Sequence, residues 1–404
     1  MPNHSERWTK TGGSTSSLRR PRIGVDLHVV DGIHQGSRTH CLELFSQVVV
    51  ATPECDFVLF LGQPSRLLEF STNFSSTNVR AVRMPPAPAV WRLARQLPSL
   101  ARREDLDLLH TQYIAPPFSP CPTAVTVHDI LFETHPQYFH KLFVTRSRIL
   151  VRRSVRRSAE IFTVSEFSRN QIAAIYGISS DRIHTIPNGV DQERFFPGHI
   201  RSEMIREVGL SPGEYFLSVG RLEPRKNHAN IIRAWAGLPA PRPKLVIVGA
   251  KHFGYEEALQ LRNCLGLKEE VFLLNEISDQ DLPAYFRNAK AFIYCSWAEG
   301  FGMPILEAMA SGVPVISSPN TALREVCGDA ALMVDPADVN AIKEAIQSLD
   351  SQPNLRSELI WRGRERIRHY TWIRAAYCVR QVYLDCFGIN CSRKPHDLTA
   401  SNSR

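Results

Sequence analysis

The segment AFIYCSWAEGFGMPILEAMASG, from Ala291 to Gly312, predicts a strand, a tight turn and a helix. Its first four residues are apolar without interruption, which is typical of a buried parallel strand. Gly300 and Gly302 allow the backbone to turn sharply and to approach a ligand closely. Pro304 suits the first turn of a helix and the closing glycine suits its end. Free N–H groups at the helix start should therefore face an anion or a hydroxyl-rich group.

Short β-branched runs alternate with amphipathic stretches along the chain from Arg22 onward. This rhythm predicts parallel βαβ units, and hence an α/β protein with two doubly wound, Rossmann-like sheets and a cleft between two domains. In the first half, the predicted strands are Ile23–Val30, Phe57–Leu61, Leu106–Tyr113, Thr123–His128, Ile161–Val164 and Ile183–Ile186, and the predicted helices are Arg38–Val50, Val90–Arg103, Phe143–Arg157 and Glu166–Tyr176, the last capped by Ser165. In the second half, the predicted strands are Tyr215–Val219, Lys244–Val248, Val271–Leu274, Ala291–Tyr294, Val313–Ser317 and Ala331–Val334.

The turn signal Pro187-Asn188-Gly189 and the irregular stretch after it mark a boundary between the two domains. We predict a first domain over residues 21–190, a linker over 191–212 and a second domain over 213–370. A helix within residues 371–391 is expected to cross back to the first domain. Residues 1–20 and 392–404 are predicted to be disordered tails.

The composition is that of an ordinary globular protein, with 43% hydrophobic and 22% charged residues among 404. No apolar run reaches about 18 residues, so no transmembrane helix is expected. The first twenty residues also lack the apolar segment of a secretory signal. The nine cysteines form no CxxC pair, which favours a reduced, cytoplasmic protein over a disulfide scaffold or a zinc site.

Part of the net charge of +8 is concentrated in the predicted helix around residues 141–157. No acidic residue interrupts this stretch, which leaves two interpretations open. It is either a solvated face or a surface for peripheral contact with an anionic membrane, at the inner face of the plasma membrane, or with a lipid-linked acceptor. Its seven cations are Lys141, Arg146, Arg148, Arg152, Arg153, Arg156 and Arg157.

A second group of polar residues, Gly220-Arg221-Leu222-Glu223-Pro224-Arg225-Lys226-Asn227, follows the predicted strand Tyr215–Val219. Arg221 and Lys226 can clamp a diphosphate, one as a planar fork and the other as a point charge. A leaving nucleoside diphosphate gains negative charge as its bond breaks. Fixed cations at this place therefore stabilise the transition state more than the ground state.

Three motifs together resemble the retaining glycosyltransferases of family 4, which have the GT-B fold. They are Glu299-x7-Glu307, Gly220-Arg221 with Lys226-Asn227, and Pro187-Asn188-Gly189-Val190. The resemblance covers roughly residues 22 to 387 and is strongest in the second half. It implies a hexosyltransferase that needs no cofactor and no metal for the chemical step.

The resemblance also implies roles for single residues. Glu307 would hold the ribose of the donor, Glu299 the transferred sugar, and His128 would lie beside that sugar. Arg221 and Lys226 would bind the diphosphate. The backbone that would face sugar hydroxyls and phosphate belongs to Phe301, Gly302, Met303 and Pro304, and Gly36 would close a glycine-containing loop of the first domain.

The chain departs from the family pattern at two places. His34 and Gln35 stand where small residues are expected beside Gly36, which affects the contacts of the first domain with acceptor and phosphate. Asn275 stands where relatives often have glycine after the third strand of the second domain, near the expected base pocket. Two DxD spellings, Asp105-Leu106-Asp107 and Asp279-Gln280-Asp281, are predicted to be structural and not metal sites.

The residues leave the donor and the acceptor open. GDP-mannose is the first expectation, a UDP-hexose the second, and an ADP-sugar remains an alternative. The acceptor would be a lipid carrier, a growing polysaccharide or a small molecule. A glycoside hydrolase would need two carboxylates about 5–9.5 Å apart around one bond, and the glutamates are not placed in that way by the sequence. A nucleic-acid-binding protein would need basic–aromatic interleaving, which the chain lacks, so no nucleic-acid partner is expected.

Overall fold

A computed structural model describes residues 19–32, 36–198, 205, 209–275 and 277–389. Within these residues the chain forms two all-parallel sheets. The first has seven strands in the order β3-β2-β1-β4-β5-β6-β7. They are β1 (Arg22–Asp26), β2 (Asp56–Leu61), β3 (Val79–Arg83), β4 (Leu108–Gln112), β5 (Thr123–Thr126), β6 (Glu160–Thr163) and β7 (Ile183–Thr185).

The second sheet repeats this plan over six described strands in the order β10-β9-β8-β11-β12-β13. They are β8 (Tyr215–Val219), β9 (Lys244–Val248), β10 (Val271–Leu274), β11 (Ala291–Tyr294), β12 (Val315–Ser317) and β13 (Ala331–Met333). Both sheets therefore reverse their strand order once, between β1 and β4 and between β8 and β11. Ligands of open α/β sheets bind at such reversal points, outside the carboxyl ends of the strands.

Helices cover both faces of each sheet, as the alternating sequence pattern requires. In the first half the longer ones are Gly36–Ala51, Ser65–Phe70, Leu97–Arg103, Lys141–Arg157 and Glu166–Tyr176. In the second half they are His228–Ala236, Glu256–Cys264, Leu282–Arg287, Met303–Ala310, Ala322–Cys327, Val339–Ser351, Pro353–Ile367 and Trp372–Cys386. The expected α/β fold with two doubly wound sheets is confirmed.

The strand predicted over Ile23–Val30 ends already at Asp26, and a 3-10 helix, His28–Asp31, follows it. The buried Asp26 carboxylate accepts the N–H of His28 at 3.2 Å and pairs with Arg92, and these contacts hold the chain in a turn. The strand is therefore shorter than the apolar run predicted.

Strand β3 was missed by the sequence analysis. Its sequence VRAVR has no continuous apolar run, because it lies at the edge of the sheet and pairs only with β2 among the described strands. Charged residues are common on edge strands, since they discourage pairing with another chain. The helix predicted over Val90–Arg103 is present, but residues Arg92–Gln96 form a π-helical turn within it.

The last helix of the described chain, Trp372–Cys386, packs on the core of the first domain. Trp372, Val379 and Tyr383 are buried there among residues of β1, β2 and the helix Gly36–Ala51. Gly189 lies at the point where this helix begins. A Cβ atom on Gly189 would come within 2.3 Å of the Trp372 nitrogen, so the turn and the helix start fit only with glycine. This crossing ties the two halves of the chain together.

Several expectations concern residues outside the described ranges. These are the tail 1–18, the loop positions His34 and Gln35, part of the linker, and the stretch after residue 389. Arg19, which we placed in the tail, pairs with Asp105 and Asp107 at 3.0 and 2.9 Å. Among the described helices, none is both long and apolar enough to cross a membrane.

Candidate active site

Two loops meet at the reversal point of the second sheet. One follows β8 and carries Arg225 and Lys226; the other follows β11 and carries Glu299. The Lys226 ammonium donates to Glu299 Oε1 at 2.7 Å and to the Tyr294 hydroxyl at 2.6 Å. The Arg225 guanidinium lies 2.7 Å from Glu299 Oε2. Both oxygens of the Glu299 carboxylate are thus held by cations.

These contacts decide the charge states of the group. Burial by itself would raise the pKa of Glu299, but Arg225 and Lys226 lower it to about 2. Burial also lowers the pKa of Lys226, and the neighbouring Glu299 carboxylate opposes that effect. For Arg225, the carboxylates of Glu299 and Glu223 outweigh burial and raise the pKa. Glu299 is therefore a permanent carboxylate that can accept hydroxyl hydrogens and cannot serve as a general acid near neutral pH.

Arg225 is a site residue that the sequence analysis missed. It lies beside Lys226 in the loop and donates to the carbonyl of Ala298 at 2.6 Å and to Glu223 at 2.5 Å. The sequence did contain a signal for this residue, since Arg225 is a second cation directly before Lys226. Arg221 lies at the start of the same loop, directly after Gly220, where a Cβ atom would lie 3.2 Å from the Lys226 side chain.

The turn before the helix Met303–Ala310 is built as the sequence predicted. Gly302 caps this helix with a φ of +111° and a ψ of 51°, a left-handed conformation that favours glycine. Pro304 lies in the first turn of the helix. Phe301 is buried and packs against Tyr370, so its backbone and not its ring remains available to a ligand.

The first domain approaches this turn and the start of the helix after it at three places. Ser165 donates its hydroxyl to the carbonyl of Gly300 at 2.8 Å, and a Cβ atom on Gly300 would come within 2.7 Å of Asp129. Gly36 faces the side chain of Met303, whose methyl group would lie 3.0 Å from a Cβ atom at that position. The structure therefore brings the predicted residues Gly36, Gly302 and Met303 together across the cleft.

His128 follows β5 and lies in a cluster of neutral histidines. Its Nε2 lies 3.2 Å from Gln112 Oε1, and its ring meets the ring of His40 edge-on at 4.5 Å. Burial, together with His40 and His110, holds the pKa of His128 well below its usual range. His128 is thus a neutral hydrogen-bonding group at neutral pH. Asn188 accepts from His40 at 2.7 Å, which gives the turn motif a place in this cluster.

Glu307 lies in different surroundings from Glu299. Burial raises its pKa to about 7, which Arg194 opposes and Asp279 reinforces. Asp279 also lies 3.5 Å from Arg38 of the first domain. On the helix Gly36–Ala51, burial and the charge of Asp191 raise the pKa of Glu43 to about 7 as well. Sequence reasoning missed Glu43, because a half-buried glutamate on a helix carries no motif.

The two glutamates of the motif respond to different charges: Glu299 to Arg225 and Lys226, and Glu307 to Arg194 and Asp279. Nothing in this arrangement favours a pair that acts on one glycosidic bond. Of the DxD aspartates, Asp107 pairs with Arg19 and Asp279 with Arg38, and Asn275 accepts from the Lys251 backbone at 3.0 Å. Within the described ranges, no group of three or more histidine, cysteine or acidic side chains is arranged to hold a metal ion.

Two family profiles match the chain in succession. The profile of Glycosyltransferase Family 4 matches residues 36–194, and that of Glycosyl transferases group 1 matches residues 201–366. The first match covers β2 to β7 of the first sheet, and the second match covers β8 to β13.

Curated relatives give the same picture. O-antigen chain mannosyltransferase B of Escherichia coli is 33% identical over 252 residues, which cover 61% of this chain and 66% of that protein. The chain thus matches a little less than two thirds of that relative. The GDP-mannose-dependent alpha-(1-6)-phosphatidylinositol monomannoside mannosyltransferase of Mycolicibacterium smegmatis is 30% identical over 309 residues, which cover 70% of this chain and 78% of that protein.

Among solved structures, the sucrose-phosphate synthase of Thermosynechococcus elongatus superposes with a TM-score of 0.73. The match covers 92% of this chain and all of that one, at 20% sequence identity. At this identity the likeness concerns the fold, which is the same arrangement of two sheets about a cleft.

Proposed function

Because this chain belongs to the family 4 glycosyltransferases, which have the GT-B fold, we propose that it transfers a hexose from a nucleoside-diphosphate sugar to an acceptor hydroxyl. The observation that carries the proposal is the Glu299 carboxylate, held ionised between Arg225 and Lys226 at the reversal point of the second sheet. A fixed carboxylate beside fixed cations suits a donor with sugar hydroxyls at one end and a diphosphate at the other.

In this proposal Lys226 and Arg221 bind the diphosphate. Two of the three N–H donors of Lys226 go to Glu299 and Tyr294, and the third is directed to a phosphate oxygen. The helix start at Gly302–Pro304 adds backbone N–H groups and a positive dipole end. These groups stabilise the charge that develops on the leaving diphosphate without a metal or another cofactor.

Glu299 orients the transferred sugar by accepting its hydroxyl hydrogens, and neutral His128 faces the same sugar from the first domain. The acceptor attacks the anomeric carbon from the side of the leaving group, so that the configuration is retained, and the leaving phosphate takes the acceptor proton. Glu307 holds the ribose. The front-face course follows the family, and NMR of the product anomer tests it, since an inverted anomer contradicts it.

Mannose from GDP-mannose is the proposed donor sugar, because both curated relatives described above are mannosyltransferases and one of them is GDP-mannose-dependent. Mannose would be added to a polysaccharide, glycolipid or other glycan. A UDP-hexose is the second choice.

Thermal-shift measurements with GDP-, UDP- and ADP-sugars test the donor directly, because a ligand that binds only the folded chain raises its Tm. We expect the largest shift with GDP-mannose and slow hydrolysis of the same compound, unaffected by EDTA. Lys226→Ala and Glu299→Ala should abolish hydrolysis and transfer. Wild-type rates in both variants, or an unchanged Tm with every sugar nucleotide, would contradict the proposed transferase function.

We also propose peripheral contact with an anionic membrane through the basic helix Lys141–Arg157. Leu142, Phe143 and Ile149 of this helix are exposed, beside its seven cations. Arg148 pairs with Glu133 at 2.9 Å, and Arg157 donates to the Pro117 carbonyl at 3.2 Å. Anionic lipid is concentrated on the cytoplasmic leaflet and attracts each nearby Lys or Arg by about 1 kcal/mol, which supports a cytoplasmic location.

Sedimentation with vesicles tests this contact. Full-length protein should bind vesicles of phosphatidylcholine with phosphatidylglycerol and not vesicles of phosphatidylcholine alone. The double variant Arg146→Glu and Arg153→Glu should reduce binding by at least about tenfold. Arg368→Glu, at an exposed position directly after the helix Pro353–Ile367 of the other domain, is the matched control. Equal binding by the double variant and the control would contradict the contact.

A further inference from the structure

A cavity of about 140 Å³ lies against the loop that carries Arg225 and Lys226. Glu223 lines this cavity and its carboxylate also accepts from Arg225 at 2.5 Å, while Arg225 pairs with Glu299. The cavity and the candidate active site therefore share one wall. Tyr138 lines the cavity from the first domain, and Trp297, from the loop before Glu299, lines it from the second.

The charges around this cavity are balanced. Glu223 pairs with Arg225, and Glu257 lies 3.5 Å from Arg233, which also donates to Asn230 at 2.7 Å. A phosphate or a nucleotide would need an excess of positive charge, as Lys226 and Arg221 provide in the donor site. The balance here favours a ligand without net charge.

The lining combines aromatic surface with hydrogen-bonding groups. Tyr138, Tyr255 and Trp297 provide rings, and Asn230 provides an amide group. His228 is a further lining residue, only 4% exposed. Within the described part of the chain its buried Nδ1 has no hydrogen-bond partner. Burial lowers the pKa of His228 to about 3, so the ring is neutral.

Buried polar atoms in native proteins nearly always have a partner, so the His228 nitrogen indicates a ligand or a rearrangement that satisfies it. Ligand sites are typically apolar and aromatic with a few placed polar groups. Sites for drug-sized ligands have roughly 300–1,000 Å³, so this smaller cavity is suited to a single ring.

We propose that this cavity is a subsite for one neutral sugar ring of the acceptor. The proposal rests on the transferase function given above and specifies its acceptor: a glycan or glycoside whose ring packs on Tyr138 and Trp297 and bonds to Asn230 and His228. An acceptor in this place contacts both domains and lies across the Glu223–Arg225 ion pair from Glu299. Acceptor binding is thereby joined to the group that orients the donor sugar.

Two variants with opposite effects on the cavity test the subsite. Ala229→Phe places a ring into the cavity from the start of the helix His228–Ala236, and Tyr255→Ala removes one of its aromatic walls. Ala174→Phe, on an exposed helix position of the first domain, is the matched control. The full chain is used throughout, and its Tm shows that each variant is folded.

The probes are the methyl α-glycosides of mannose, glucose, galactose and N-acetylglucosamine, observed by saturation-transfer NMR with the donor site filled by GDP. We expect at least one glycoside to bind the wild type and the control. Binding should be weaker by at least about tenfold in Ala229→Phe and Tyr255→Ala, with an equal rise in acceptor KM. Donor hydrolysis without acceptor should stay within about twofold of wild type, because the donor site is untouched.

The subsite is wrong if sugar binding is unchanged in both variants, or if GDP abolishes sugar binding to the wild type. Normal donor hydrolysis in that case would still support the transferase function. The opposite result is equally distinct. If no sugar nucleotide is bound or hydrolysed, but a glycoside binds and Ala229→Phe removes it, the transferase function is wrong, and with it the acceptor role of this cavity.

Discussion

At the scale of single residues, the site depends on one carboxylate between two cations. Desolvation makes each buried charge costly, and the short contacts of Glu299 with Arg225 and Lys226 offset that cost only while all three charges are present. The same contacts keep the carboxylate ionised and its orientation fixed. A preorganised group of this kind does not have to reorganise when the transition state forms.

Glu299→Gln should therefore lower transfer strongly and destabilise the fold. The amide keeps the shape but leaves the buried Lys226 without its counter-charge and Arg225 with Glu223 alone, which costs about 3–5 kcal/mol. We expect kcat to fall by about 10²–10³-fold, by analogy with the loss of one oriented contact. Urea unfolding and steady-state kinetics measure both effects. Glu365→Gln, an exposed glutamate paired with Arg368, is the control and should change neither.

The second residue-scale prediction concerns pH. Burial raises the folded-state pKa of Glu43 from 4.5 to about 7. The folded state then binds more protons than the unfolded state between these values. The stability contribution is thus fully present below the lower value and is lost as the pH rises through about 7. The charged groups that act on Glu43 are Asp191, Arg194 and Glu307.

Glu43→Gln removes this loss of stability at high pH, because glutamine does not ionise. We expect the variant to equal the wild type at pH 4 and to be more stable by about 1–3 kcal/mol at pH 8, as measured by urea unfolding across that range. A difference between the two proteins that does not depend on pH would show that Glu43 does not titrate in this window.

At the scale of elements, the helix Glu166–Tyr176 begins at a cap that also joins the two domains. Ser165 accepts the Ser168 N–H at 3.1 Å and donates to Gly300, while Glu325 of the second domain accepts the N–H groups of Glu166 and Phe167 at 3.0 and 3.1 Å. The turn beside the donor site is thus positioned from the start of a first-domain helix.

Ser165→Ala should cost about 1 kcal/mol of stability, the usual value for a lost N-cap. It should also raise donor KM, because Gly300 loses the hydroxyl that fixes its carbonyl. Asp338→Ala, which removes the cap of the helix Val339–Ser351, should cost a similar stability without a change in KM. An equal KM in both variants would mean that the Ser165 contact does not position the turn.

At the scale of the whole molecule, the last described helix fastens the second half of the chain to the first. The Val190 nitrogen donates to the Tyr370 carbonyl at 3.1 Å, directly beside the close approach of Gly189 to Trp372. The core of the first domain includes Trp372 and Tyr383. The first domain therefore completes its core with residues from the far end of the described sequence.

Gly189→Ala should separate this junction. Its Cβ atom would overlap the backbone of Thr371 and Trp372, which cannot move without lifting the helix. We expect the free energy of unfolding to fall by about 3 kcal/mol or more. The measurements are a lower Tm and a change in tryptophan fluorescence as Trp372 becomes exposed to water. Gly237→Ala is the control, because the nearest atom to its added Cβ belongs to the flexible side chain of Lys343, at 3.2 Å, and the backbone is no closer than 3.5 Å. Equal Tm values in the two variants would contradict this account of the junction.

The features of this protein that depend on local patterning could be predicted from its sequence. Apolar runs placed the central strands, because a strand buried on both faces has no polar positions. Glycine, proline and serine placed the turn at Gly302 and the cap at Ser165, because these residues act on their own backbone. The edge strand Val79–Arg83 and the early end of β1 were not predicted, because both depend on neighbours that are distant in sequence.

The pairing of charges, in contrast, was set by the folded chain. The fold pairs Glu299 with Arg225 as well as Lys226. It places Glu307 where Arg194 and Asp279 act on its pKa. It also brings His40, His110 and His128 together as buried, neutral side chains. It also formed the cavity beside Glu223 from two domains. Such contacts act over a few ångströms between residues far apart in the chain, so their strength and their effect on pKa depend on folded geometry.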